Sequence, residues 1–272
     1  MPSVLLARPG RRFSRSRPAF FGACALLCAA SAAATIAWSE SMSTMGGMPM
    51  PGGWTMSMAW TRMCGQTWAA AAASFLGMWA VMMAAMMLPS LTPMLWRYRQ
   101  AAGRAGGPRL GRLTVLAGVS YFFVWTMIGM VIYPLGVALA AIEMQWPGLA
   151  RAVPPAIGAI VLLAGALQFS TWKARHLACC RTAPGPERGL PARACSAWRY
   201  GLRLGLHCSQ SCAGLTAILL AAGVMDLRAM AVVTAAITAE RLAPAGERVA
   251  RSIGAIAVGA GLVLIAQAAG LR

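Results

Sequence analysis

Acid is scarce in this 272-residue chain. It holds six Asp and Glu residues against 24 Lys and Arg, and only two histidines. Charged residues make up 11% of the chain, against roughly 25% in an average soluble domain. With 59% hydrophobic residues, that shortage excludes a single soluble globular domain and global disorder. A soluble nucleic-acid binder needs more Lys and Arg and fewer apolar residues. The basic residues here are dispersed through short loops, so no nucleic-acid partner is expected. Eight cysteines are too sparse for a disulfide scaffold. The chain has no H-E-x-x-H, no C-x-x-C, no nucleotide-binding loop and no triad pattern. It is therefore expected not to be an enzyme.

What remains is an all-α, polytopic helical membrane protein in contact with a lipid bilayer. A spanning helix needs about 20 mainly apolar residues. Seven segments qualify as candidates: 19–38, 68–95, 113–141, 153–172, 204–225, 227–243 and 252–269. The sixth is weak, because Glu240 and Arg241 lie near its end, so it either carries charge into the membrane or is re-entrant. Residues 1–18 form a basic tail, 39–67 a loop on the opposite face, and 68–272 the main helical domain. The first span reads better as an uncleaved anchor than as a signal peptide, because its apolar stretch is too long for the latter.

The net charge of +18 tests this layout. The tail, the loop 97–112, the loop 173–203 and the loop 241–251 hold twenty of the 24 basic residues. The alternate face holds only Arg62, Arg151, Arg228 and Arg272. By the positive-inside rule the N-terminus is cytoplasmic, and a bacterial inner membrane is the expected location.

Methionine and cysteine stand out inside the apolar fraction. The loop 39–67 carries Met42, Met45, Met48, Met50, Met56, Met58 and Met63, with Cys64. A polar, Gly- and Pro-rich loop gains little from exposed thioethers. Soft thioether sulfur suits Cu(I) and stays a ligand in an oxidising compartment. The other reading is an interfacial loop lying on lipid, with Trp54, Trp60 and Trp68 as belt residues. In the second span, Met78, Met82 and Met86 recur every fourth residue, as do Met83 and Met87, so each set lies on one helix face. Pro89 and Pro93 are expected to disturb that helix, Pro89 leaving a carbonyl without its partner. The stripe fits either a path for a soft metal or packing, where Met fills irregular gaps.

Both histidines have cysteine neighbours: His176 with Cys179 and Cys180, and His207 with Cys208 and Cys212. Cys208 and Cys212 share a helix face, whereas His207 points about 100° away. Such a set suits copper, with zinc as the alternative, although small packing residues at helix ends would look the same. Cys24 and Cys28, four apart in the first span, read as packing. Glu240 is an intramembrane carboxylate and needs a partner or a role. Arg241 and Arg248 are the nearest in sequence, and a turn with ion pairs reaching the surface would satisfy it. Asp226 and Glu143 mark span boundaries. Gly254, Gly259 and Gly261 suggest close helix packing.

The segments GMWAVMMAAMMLPSLTPML, GALQFSTWKARHLACCR, GLRLGLHC and AGVMDLRAMAVVTAAITAERLAPAGERVAR resemble the bacterial family called predicted metal-binding integral membrane proteins, a domain of unknown function. The resemblance spans roughly residues 68–268. It implies a multi-span inner-membrane protein with a metal site drawn from Met82, Met83, Met86, Met87, Pro89, Cys179, Cys180, His207, Cys208, Cys212, Glu240 and Glu247. Family members often carry a cysteine pair after the His-Cys, where this chain has Ser211-Cys212. Three functions follow. The first is handling of a soft metal such as copper, by binding, transfer or delivery to a metalloenzyme or metallochaperone. The second is a non-metal scaffold or accessory subunit, and the third is thiol redox chemistry.

Overall fold

A computed structural model describes residues 11–44, 46–62, 65–106, 109–181 and 193–270. The described chain forms eight helices and one short hairpin: α1 (Arg11–Thr44), β1 (Met48–Met50), β2 (Trp54–Met56), α2 (Trp68–Gly106), α3 (Leu110–Gln145), α4 (Pro147–Leu167), α5 (Thr171–Arg181), α6 (Ala194–Ala222), α7 (Leu227–Leu242) and α8 (Gly246–Ala268). Among the described residues six helices are long and apolar enough to cross a membrane: α1, α2, α3, α4, α6 and α8. Their outer flanks expose large apolar side chains, from Leu26 at 74% to Ile256 at 73%. Water penalises such a surface and lipid does not, so it is compatible with lipid contact.

The segment 227–243 folds as α7. Its 16 residues reach about 24 Å at about 1.5 Å per residue, short of a full span. Asp226 caps it, its carboxylate accepting from the Arg228 and Ala229 amides at 2.8 and 3.2 Å. The short helix still joins the two ends of the bundle. At the hairpin end the Ser39 hydroxyl donates to the Met225 carbonyl at 2.8 Å. At the α5 end the Arg181 guanidinium donates to the carbonyls of Ala243 and Pro244, at 2.6 and 3.0 Å. The apolar run expected as 153–172 divides, with α4 ending at Leu167 and Trp172 belonging to α5.

α2 runs unbroken through Pro89 and Pro93, contrary to the disturbance expected. Pro89 lacks the N–H that would bond the Ala85 carbonyl, and the Cys28 thiol of α1 donates to that carbonyl instead, at 3.7 Å. Cys28 therefore has a polar partner as well as a packing role. The Ser90 and Thr92 hydroxyls donate back to the Met87 and Leu88 carbonyls, at 3.1 and 2.7 Å.

Small residues decide which helices meet most closely. On α6, Gly201 and Gly205 admit the α3 backbone around Ala117 and Tyr121. On α4, a methyl group at Gly165 would lie 2.7 Å from the Val258 amide nitrogen and 2.9 Å from the Gly254 carbonyl of α8. Gly254 and Gly261 serve this contact as expected, but Gly259 faces open space. Gly165→Ala is therefore expected to lower stability by about 1–3 kcal/mol through overpacking, while Gly259→Ala stays neutral. Thermal unfolding in detergent measures both, and equal effects would contradict the close α4–α8 contact.

Candidate metal centre

The buried face of α6 carries Gly201, Gly205, Cys208, Cys212, Leu215 and Leu219, spaced by fours and threes as one helix side requires. The two glycines let α3 approach, and that brings the Tyr121 hydroxyl within 2.7 Å of the Cys208 thiol, in a hydrogen bond. Cys208 is completely buried. Its Sγ lies 3.9 Å from Met87 Sδ on α2, and Cys212 follows one turn on along the same buried face.

α5 adds Cys180, also buried. Between it and Cys212 sits the guanidinium of Arg241, itself only 5% exposed. Arg241 Nη2 is 3.4 Å from Cys180 Sγ, 3.4 Å from Ser211 Oγ and 3.9 Å from Cys212 Sγ, and Nη1 donates to Ser90 Oγ at 3.3 Å. Burial pushes the Cys180 thiol up from its ordinary value, and the Arg241 charge opposes that. Ser211, where a second cysteine was the alternative, lies between Cys180 and Cys212, at 3.8 and 3.7 Å.

Glu240 is buried rather than at the surface, and neither Arg241 nor Arg248 forms its ion pair. Its partner is Lys173 of α5, Nζ to Oε2 at 2.7 Å. The same ammonium also donates to the Ser211 carbonyl. Glu247 is exposed on α8 and far from this pairing in character. Glu143 is buried near the end of α3.

The expected Cys/His set divides in two. His207 does point off the Cys208–Cys212 face, and it meets His176 instead, Nδ1 to Nδ1 at 3.1 Å. Partial burial, then His207 and Arg175, hold His176 below the usual imidazole value. Cys179 is exposed, about 100° round α5 from buried Cys180. Among the described residues no three His, Cys, Asp or Glu side chains gather as a metal-holding group. A three-sulfur site at the buried thiols therefore needs a methionine.

The stripe supplies one. Met78, Met82, Met83, Met86 and Met87 are all buried in the main core, so the stripe does not face lipid. The 39–67 methionines divide. Met50 and Met56 pack with Ala140 and Ala150 in a small cluster of their own, where the Trp54 indole donates to the Ala150 carbonyl at 2.8 Å. Met48, paired with Met56 across the hairpin, is exposed. Met42 and Met58 line a cavity at the same end. Met45, Met63 and Cys64 lie outside the described residues.

Residues 76–264 match the model of the PpoB2 family, described as copper chaperone. The chain belongs to this copper chaperone family. No curated protein and no solved structure matches it. The family match takes in Met78 to Met87, Cys180, Cys208, Cys212 and Arg241, and begins after α1 and the hairpin. A copper-related function is thus attached to the part of the chain that holds the sulfur cluster.

Sequence reasoning missed Arg241 as a neighbour of the thiols, Tyr121 and Lys173. The one available signal was scarcity, since a lone lysine at the start of a Cys/His segment needs a buried acid. Glu240→Gln strands that lysine, and the loss expected is about 3–5 kcal/mol of stability. Replacing both as Lys173→Met/Glu240→Leu is expected to recover most of it. Unfolding by SDS titration checks this, and a double variant as weak as the single one would contradict the pairing.

Proposed function

We propose that the protein is a carrier of Cu(I) in the bacterial inner membrane. It holds the ion between Met87, Cys208 and Cys212 and delivers it to a metalloenzyme or metallochaperone. The carrying observation is the 3.9 Å separation of Met87 Sδ and Cys208 Sγ. A metal–sulfur bond of about 2.3 Å places two trigonal sulfur ligands about 4.0 Å apart. Thiol ligands lose their protons on metal binding. Two thiolates, the Arg241 guanidinium and Cu(I) then sum to zero charge. Zn(II) in the same place leaves a net positive charge, which a dry interior disfavours. That balance supports copper over zinc.

The stripe gives the ion a route. From Met78 to Met87 it runs along about 14 Å of α2, at about 1.5 Å per residue, and ends at the thiols. Thioethers bind Cu(I) less tightly than thiolates, so the gradient runs inward. Cys180, across Arg241 from Cys212, is the next thiol towards α5. The protein acts as a carrier and not as a catalyst.

A scaffold reading has one observation in its favour. The same methionines pack with Phe75, Trp79 and Trp125 in a continuous core. The two readings differ in copper retention. Full-length protein in detergent, loaded with Cu(I) under reducing conditions and challenged with a tight Cu(I) chelator, is expected to keep a single ion. Cys208→Ser/Cys212→Ser is expected to lose it, and Arg241→Met to hold it roughly 10–100-fold more weakly. Wild-type protein that retains no copper would sink the carrier reading and leave the scaffold.

A further inference from the structure

At the hairpin end, away from the thiols, a cavity of about 90 Å³ opens between four separate pieces of chain. Met42 from the end of α1, Met58 from the turn after the hairpin, Met78 from α2 and Met225 from the α6–α7 connection all line it, together with Trp38 and Phe75. Sequence separation hides this convergence, because Met225 stands alone and belongs to neither the loop nor the stripe. Two contacts hold the lining in place. The Ser39 hydroxyl ties α1 to the Met225 carbonyl at 2.8 Å, and the Thr61 hydroxyl contacts Met58 Sδ at 3.7 Å.

We infer that this cavity is a separate Cu(I) entry site, in which Met42, Met58, Met78 and Met225 present thioether sulfur to the incoming ion. Its described lining has no carboxylate, thiol or imidazole. A neutral all-thioether set selects a soft monovalent cation and discriminates against Zn(II) and Cu(II). Trp38 and Phe75 add rings to the wall, and an aromatic face attracts a cation. Met78 belongs to both the cavity and the buried stripe, so an ion bound here is already on the first rung of the route to Met87. Met42 and Met58 precede the family match, so the site joins family residues to residues outside it. The inference rests on the copper reading above.

Silver(I) is the probe, because it shares the soft monovalent chemistry without redox cycling. A sulfur whose lone pair holds Ag(I) resists oxidation to the sulfoxide. Full-length protein is treated with hydrogen peroxide with and without Ag(I), and each methionine is scored by mass spectrometry. Met42, Met58 and Met225 are expected to be protected several-fold, while exposed Met48 oxidises at an unchanged rate. Equal behaviour of all four overturns the site. The same measurement on Cys208→Ser/Cys212→Ser keeps the two proposals apart. Protection that persists there shows an entry site independent of the carrier site, and protection that vanishes overturns it. Met225→Leu conserves volume and is expected to weaken protection of Met42 and Met58. Met50→Leu, in the other cluster, is expected to leave it intact, and the reverse pattern would overturn the assignment.

Discussion

A guanidinium buried among sulfur atoms constrains everything around it. Arg241 is removed from water, and an isolated buried charge is costly unless it is paired and hydrogen-bonded. Its polar contacts are two thiols and two hydroxyls, contributed by α2, α5 and α6. The nearby carboxylate is already engaged, since Lys173 holds Glu240. The buried region therefore carries one neutral pair and one excess positive charge. In the copper-bound state proposed above, two thiolates and one monovalent ion cancel that excess.

The helical frame is shaped to keep this arrangement in register. Gly201 and Gly205 bring α3 onto α6 so that Tyr121 reaches Cys208. α5 is short, and on it Cys180 and Lys173 each contact both α6 and α7. Arg181 at its end fastens the α7–α8 turn through three carbonyls. Pro89 opens a carbonyl that Cys28 satisfies, and α2 runs on as one helix that carries the buried methionines Met78 to Met87. α7 is only 16 residues long, with Met225 just before its start and Arg241 next to its last residue.

Periodicity made part of this legible in the sequence. Cys208 and Cys212 four residues apart, with His207 one position off, require different faces of α6, and the structure puts them there. The Met78–Met87 spacing required one stripe, and long apolar runs required long helices. Contacts between distant segments left no such trace. Nothing local says that Glu240 pairs with Lys173 instead of with Arg241 or Arg248, because 67 residues separate the two. Met225 has no periodic companion, and Arg241 sits at a helix end where a solvated charge is the ordinary outcome. Methionine count does not tell the loop residues apart, whereas the hairpin packs Met50 and Met56 into a small cluster with Ala140 and Ala150 and leaves Met48 exposed. Cys179 and Cys180 look equivalent in sequence, but a 100° step on α5 buries one and exposes the other.

The central claim concerns donor atoms, so it is best tested by seeing them. X-ray absorption at the copper edge, on full-length protein that has kept Cu(I) against a chelator, reports oxidation state, ligand type and bond length together. The account predicts Cu(I) with three sulfur neighbours at about 2.3 Å and no imidazole scattering. A shell dominated by nitrogen or oxygen, placing the ion at His176 and His207, would contradict it.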